Sequence, residues 1–331
     1  MNDSLENPAA PRSQRPRGAT ARPLLSLLAA AACTVLIVLL ARTAVGMASG
    51  QRLDQLILSG AQDHEGTLAQ YAATAVGTVS FPVMAGLLAA AVVLVLLRRR
   101  LALLLPLGLL VVGANLTTQI LKHLVVSREA LGPGIDITPN SFPSGHTTLA
   151  AAATIAVVLA SGRGRVVLAP LGAVWTAAAG IGTLVLGWHR PSDVIGAIVV
   201  VAAWTFLVLF LDSLHTRHRL ARATPAPGHG RRRRGGGAES TEGRPRRLRM
   251  SPADAVIAVL LGLAGVAGLA YGGLQLSSLQ LPLDLEDVAQ QQGSFVAMAA
   301  LIGGGTTAWM ALVLALRTPI SHRSRSDDRV P

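Results

Sequence analysis

The sequence predicts an all-α membrane protein, a polytopic helix bundle, and three observations carry that prediction. Of the 331 residues, 51% are hydrophobic and only 14% are charged, against about 25% charged in an average soluble domain. The apolar residues form long blocks instead of the one-sided stripes of a soluble helix. The net charge of +12 comes from arginines at the ends of those blocks and in one linker. That distribution argues against a nucleic-acid surface, and no nucleic-acid partner is expected. Cys33 is the sole cysteine and lies inside an apolar run, which excludes a disulfide framework and a cysteine-based metal site.

Eight apolar blocks give eight expected spans, at 24–45, 72–97, 101–121, 146–161, 166–187, 193–212, 252–274 and 295–316. Most are near the roughly 20 residues that cross a bilayer core; 146–161 is short, with a polar start at the interface. The first block is too long for a signal h-region and is read as a retained anchor. Gly303, Gly304 and Gly305 in the last block are expected to allow close helix packing.

Orientation follows from the arginines. Arg12, Arg15, Arg17 and Arg22 precede the first span, Arg98 to Arg100 separate the second and third, and Arg163 and Arg165 separate the fourth and fifth. A basic segment follows the sixth span, and Arg317, Arg323 and Arg325 follow the eighth. If every span crosses, all of these fall on one side, which the positive-inside rule makes cytoplasmic, with both termini there. The expected divisions are a cytoplasmic tail (1–23), a six-span unit (24–212), an Arg/Gly/Pro-rich linker (213–250), a two-span unit (251–317) and a second tail (318–331). The linker reads first as a disordered cytoplasmic connector that also fixes topology, with RNA or anionic lipid headgroups at the inner leaflet as the alternative contacts of its arginines. The loops at 122–145 and 188–193 then face outward together.

Those two loops hold the polar residues that are hardest to explain as packing. Pro143-Ser144-Gly145-His146 opens an Ala-rich helix: Ser144 is an N-cap, Gly145 lets backbone approach a ligand, and the free N–H groups suit an anion such as phosphate. His146 sits at the same edge, where it can donate a proton. His189 and Asp193 are four apart, so the carboxylate can orient the imidazole and leave its other nitrogen as nucleophile or base. Lys122 is the only lysine in the chain; with Arg128 it puts cations on the side that the positive-inside rule disfavours.

Lys122 with Arg128, then Pro143-Ser144-Gly145-His146, then His189-x-x-x-Asp193 resembles the three-part signature of the type 2 phosphatidic acid phosphatase superfamily, over about residues 50–212. The resemblance implies a six-span phosphatase-like core followed by two C-terminal spans, with an outward-facing site. It also implies roles. His189 attacks phosphorus, Asp193 orients it, and His146 protonates the leaving oxygen. Lys122, Arg128, Ser144 and Gly145 hold the phosphoryl oxygens, and neither a metal nor another cofactor is required. Two departures stand out. Five residues, not six, separate Lys122 from Arg128, and Glu129 replaces the proline that usually follows. The third motif usually begins Ser-Arg, where this chain has Gly182-Thr183. Arg190 is the candidate substitute for that arginine.

The function so implied is a phosphatase of the plasma membrane's outer leaflet acting on a lipid phosphate or polyprenyl diphosphate. Two other readings use the same residues: transfer of the phosphoryl group or headgroup to another hydroxyl, and a catalytically weakened protein that binds lipid phosphate. A haloperoxidase is disfavoured, because the arginine set that would hold vanadate is incomplete.

Overall fold

The computed structural model describes residues 18–64, 66–135, 140–223 and 250–317. Most of the N-terminal tail, the linker from 224 to 249 and the tail from 318 onward lie outside the described residues. All regular structure among the described residues is helical. The order is α1 (Gly18–Leu40, continued by a π-turn to Val45), α2 (Ala48–Gln62), α3 (Thr67–Gly77), α4 (Phe81–Leu97), α5 (Leu104–Ile120, continued by a π-turn to Val125), α6 (Gly145–Ala160), α7 (Arg165–Val185), α8 (Pro191–Ala223), α9 (Pro252–Ser277) and α10 (Val288–Leu316).

The polytopic all-α expectation holds. Among the described residues six helical stretches are long and apolar enough to cross a membrane: Ala21–Val45, Leu101–Val125, Arg165–Val185, Pro191–Thr216, Pro252–Ser277 and Val288–Leu316. The segment expected as one span at 72–97 is instead the pair α3 and α4, bent by 54°. The bend has a local cause. Pro82 sits in the first turn of α4, where a proline starts a helix well. The Thr78 hydroxyl turns back onto the Ala75 carbonyl and accepts from the Trp175 indole at 2.8 Å, which ties the break to α7. Helix α8 runs eleven residues past the expected boundary at 212 (223 − 212).

Helix α6 is the axis of the bundle. Its 16 residues span about 24 Å, short of the roughly 30 Å core. Alanines at 150–153 and 156 are buried, so α4, α5, α7 and α8 pack closely around it. At one end the arginines gather. Arg165 pairs with Asp254 of α9, Arg317 donates to the Leu159 and Ser161 carbonyls, and the Arg98 guanidinium lies against Gly162. The 143–146 and 189–193 clusters meet at the opposite end.

The C-terminal hairpin α9–α10 closes against α2 and α7. Only one of the three expected contact glycines takes part. A Cβ on Gly304 would stand 2.7 Å from the Leu269 nitrogen and 2.9 Å from the Gly265 carbonyl, whereas Gly303 and Gly305 have open space. Gly304→Leu is therefore expected to destabilise by about 1–3 kcal/mol or more. Gly303→Ala should be neutral or stabilising, as read by thermal unfolding in detergent; equal effects at the two positions would contradict this packing.

Candidate active site

The site forms where the loop before α6 meets the turn before α8. Ser144 caps α6 as expected: its hydroxyl accepts from the Thr147 N–H, and its carbonyl accepts from the Thr148 N–H at 3.0 Å. The Ser144 N–H donates to the Asp193 carbonyl at 2.9 Å, which joins the two motifs directly. The aromatic ring of Phe142, fully buried, lies against Gly196 of α8, where a Cβ would collide with it at 2.5 Å. The first N–H groups of α6 thus point outward at the helix's positive end. A Cβ built on Gly145 meets nothing within 4 Å, so the space before that end is open.

His189 is in the turn preceding α8, not on the helix itself, and its N–H donates to the Thr183 carbonyl. The side chain nevertheless pairs with Asp193, Nδ1 to Oδ2 at 3.5 Å. Asp193 has more partners than sequence reasoning assigned. It accepts from the Ser141 hydroxyl and from the Arg190 N–H at 2.9 Å, and it stands 3.5 Å from Arg128 Nη1. The His146 ring, exposed, faces His189 with centroids 6.3 Å apart and lies 5.6 Å from Trp188. Lys122 is near enough to His146 and Asp193 to interact with both charges. Asn140 fixes this end of α5 by donating to the Lys122 carbonyl at 2.9 Å and to the Val126 carbonyl.

All eight residues expected at the site, His189, His146, Asp193, Lys122, Arg128, Ser144, Gly145 and Arg190, lie at this end of the bundle. Arg190 is 5% exposed in the turn beside His189. The positions where the family pattern carries Ser-Arg are occupied for packing. A Cβ on Gly182 would stand 3.0 Å from the Ala72 carbonyl of α3, and the buried Thr183 hydroxyl bonds the Gly180 carbonyl. Close approach of α3 therefore takes the place of a cation there.

Sequence reasoning missed Ser141, Ser192 and Asp54. Asp54 lies on α2, a helix the hydropathy blocks left unassigned. Its carboxylate pairs with Arg128 Nη2 at 3.3 Å and accepts from the Ser192 N–H at 3.1 Å and from the Ser192 hydroxyl. Burial pushes the Asp54 carboxyl up to about 7, and the charge of Asp193 pushes the same way, against the opposing pull of Ser192 and Arg128. Behind it lies an apolar cleft of about 500 Å³, walled by Leu40, Leu53, Ile57, Ile195, Leu276 and Met298. The signal in the sequence was the spacing of Leu53, Leu56, Ile57 and Gly60, one face of a helix.

The arrangement brings two imidazoles, a carboxylate, a lysine, an arginine and a helix N-terminus around one open space. That combination suits a tetrahedral anion with a nucleophile on one side and a proton donor on the other. Residues 103–218 match the family model of the PAP2 superfamily. The match runs from the start of α5 into α8 and contains every one of those eight residues; α1 to α4 and the hairpin α9–α10 lie outside it. No curated protein and no solved structure matches the chain.

Proposed function

From a PAP2-superfamily segment within a membrane helix bundle, we propose an integral membrane phosphatase. It hydrolyses a lipid phosphate or polyprenyl diphosphate at the outer leaflet of the plasma membrane. The observation that carries this reading is the facing pair His146 and His189, with Asp193 behind one ring and the N-terminus of α6 beside the other. A near-attack nucleophile stands about 3 Å from phosphorus, and a proton donor stands about 3 Å from the leaving oxygen. The 6.3 Å between ring centroids is of that order.

His189, oriented through Nδ1 by Asp193, attacks phosphorus with Nε2 and forms a phosphorus–nitrogen bond as the phosphorus–oxygen bond to the leaving group breaks, an ester bond in a lipid phosphate and an anhydride bond in a diphosphate. His146 gives its proton to the departing lipid oxygen. It then takes a proton from water, whose oxygen attacks the phosphohistidine and releases inorganic phosphate and free His189. Lys122, Arg128, Arg190 and the Gly145 and His146 N–H groups hold the equatorial oxygens and balance the developing charge. The bilayer delivers the substrate laterally. The basic linker contacts anionic headgroups on the inner face, where both termini lie.

The test uses two substrates that differ in leaving group. Purified protein in mixed micelles should release phosphate from phosphatidic acid or a polyprenyl diphosphate. His146→Ala should lower that rate by about 10²–10⁴-fold and slow the first-turnover burst of nitrophenolate from p-nitrophenyl phosphate far less, because nitrophenolate leaves without a proton. A burst slowed as much as lipid hydrolysis would remove His146 from the role of acid. Absence of phosphate release by the wild type from either lipid would overturn the phosphatase reading.

A further inference from the structure

Helix α2 holds the first-motif loop at two points. Gln51 donates through Nε2 to the Val45 and Glu129 carbonyls, both at 2.7 Å, and accepts through Oε1 from the Leu131 N–H at 3.1 Å. Three residues on, Asp54 pairs with Arg128 and bonds Ser192, whose hydroxyl also accepts from Arg128 Nη2 at 3.1 Å. The Arg128 side chain is only 6% exposed, yet its Nε and Nη1 find no hydrogen-bond acceptor among the described residues. Arg128 is therefore gripped at Nη2, while Nη1 faces the Asp193 carboxylate at 3.5 Å without a hydrogen bond and Nε has no acceptor.

The opposite face of α2 is held by the C-terminal unit. Arg52 donates to the Leu283 carbonyl at 2.8 Å, Gly60 closes on the Gln291 carbonyl, Gln292 donates to Asp63, and His64 packs on the Phe295 ring. We propose that α2 is a clamp that positions Arg128 for the phosphoryl group, with Asp54 as the positioning residue and the hairpin α9–α10 as its support. This rests on the phosphatase reading of the site.

The clamp accounts for features that are otherwise unconnected. A loop arginine loses side-chain freedom on binding an anion, and fixing it beforehand removes that cost. The family pattern stiffens this loop with a proline after the arginine; here Glu129 stands in that place, and Glu129 is the residue whose carbonyl Gln51 holds. A guanidinium held at Nη2 by Asp54 and facing Asp193 with Nη1 keeps its fork in one fixed orientation, which an ammonium group would not do. It also gives α2 and the last two helices, all outside the PAP2 match, a part in the chemistry.

The experiment titrates full-length protein in detergent with orthovanadate, a stand-in for the phosphoryl group, at pH 6 and pH 8, with phosphate release measured in parallel. The charged groups facing Asp54 are Arg128 from the loop and Asp193 from α8; the cleft side contributes Leu40 of α1, Leu276 of α9 and Met298 of α10. As pH rises through about 7, Asp54 gains its charge and its grip on Arg128 strengthens. Asp54→Asn should bind vanadate about tenfold more weakly than wild type at pH 8 and within about twofold of it at pH 6. The ratio of the two proteins cancels the titration of the histidines and of vanadate itself. Gln51→Ala, which leaves every charge in place, should weaken binding equally at both pH values, and it decides the matter if Asp54→Asn does not fold. Unchanged affinity in both variants overturns the clamp, as does an Asp54→Asn loss that is the same at both pH values. Wild type that binds vanadate with this dependence but releases no phosphate overturns the phosphatase reading and leaves the clamp standing.

Discussion

His189→Ala should abolish phosphate release, by at least about 10⁴-fold, while leaving the fold intact. The two halves of that expectation come from different observations. In the proposed mechanism the ring attacks phosphorus, so its removal takes away the covalent route, and water held by the remaining cations is a poor replacement. The fold should survive because Asp193 keeps the Ser141 hydroxyl, the Arg190 N–H and Arg128 when the imidazole is gone. A direct readout is the acid-labile phosphoenzyme formed from labelled substrate. With p-nitrophenyl phosphate as the labelled substrate, label should be absent in His189→Ala and should accumulate in His146→Ala, where formation of the intermediate needs no acid but its hydrolysis lacks a base. Label in His189→Ala at wild-type level would show that another residue is the nucleophile.

The polar clusters of the candidate site were easier to read from the sequence than the residues that hold them in place. Long apolar blocks announce spans because a bilayer demands about 20 apolar residues in a row, and seven of the eight expected segments appear as single helices. The exception, 72–97, is broken by a threonine and a proline whose effect depends on Trp175 of another helix. Ser144, His146, His189 and Asp193 were legible because polar groups at the ends of apolar helices are costly without a purpose. Asp54 was not, since an acid in a helix of mixed polarity costs nothing until the fold buries it. Its burial depends on Ser192 and Arg128, 138 and 74 residues away, a separation that no local pattern encodes. Glycine behaves the same way: Gly303, Gly304 and Gly305 read identically, and only the rotation of α10 against α9 selects the middle one.

The missing arginine of the third motif now has a physical account. Gly182 serves the contact between α7 and α3, and Thr183 is buried with its hydroxyl on the Gly180 carbonyl, so an arginine at 183 would have to find room in a packed interior. In the proposed site Arg190 is left as the substitute cation, and the orientation of Arg128 matters as much. A transition-state cation contributes several orders of magnitude to phosphoryl transfer. A chain whose third-motif cation is displaced gains most from holding the others rigidly, the part that the proposed clamp gives α2 toward Arg128.

Asp193→Asn should cost nearly as much activity as loss of the nucleophile, about 10³–10⁴-fold, by a different route. The carboxylate accepts from Ser141 and the Arg190 N–H, pairs with His189 Nδ1 and faces Arg128 Nη1. An amide offers one acceptor oxygen and turns a donor toward one of these partners, so the imidazole loses the contact that fixes its tautomer. The Arg128 guanidinium would keep only Asp54 as a counter-charge, in a place where an uncompensated buried charge costs about 3–5 kcal/mol. The loss of stability should therefore be smaller than that figure, because one carboxylate remains. This leads to a sign that a purely catalytic account would not give. The charge of Asp193 helps push the Asp54 carboxyl up to about 7; without it, Asp54 should ionise at lower pH. The pH-dependent step in vanadate affinity should accordingly move to more acidic values in Asp193→Asn, even where turnover is too slow to follow. A step that stays in place would mean that the two carboxylates do not share Arg128, and activity within tenfold of wild type would mean that His189 takes its orientation from another group.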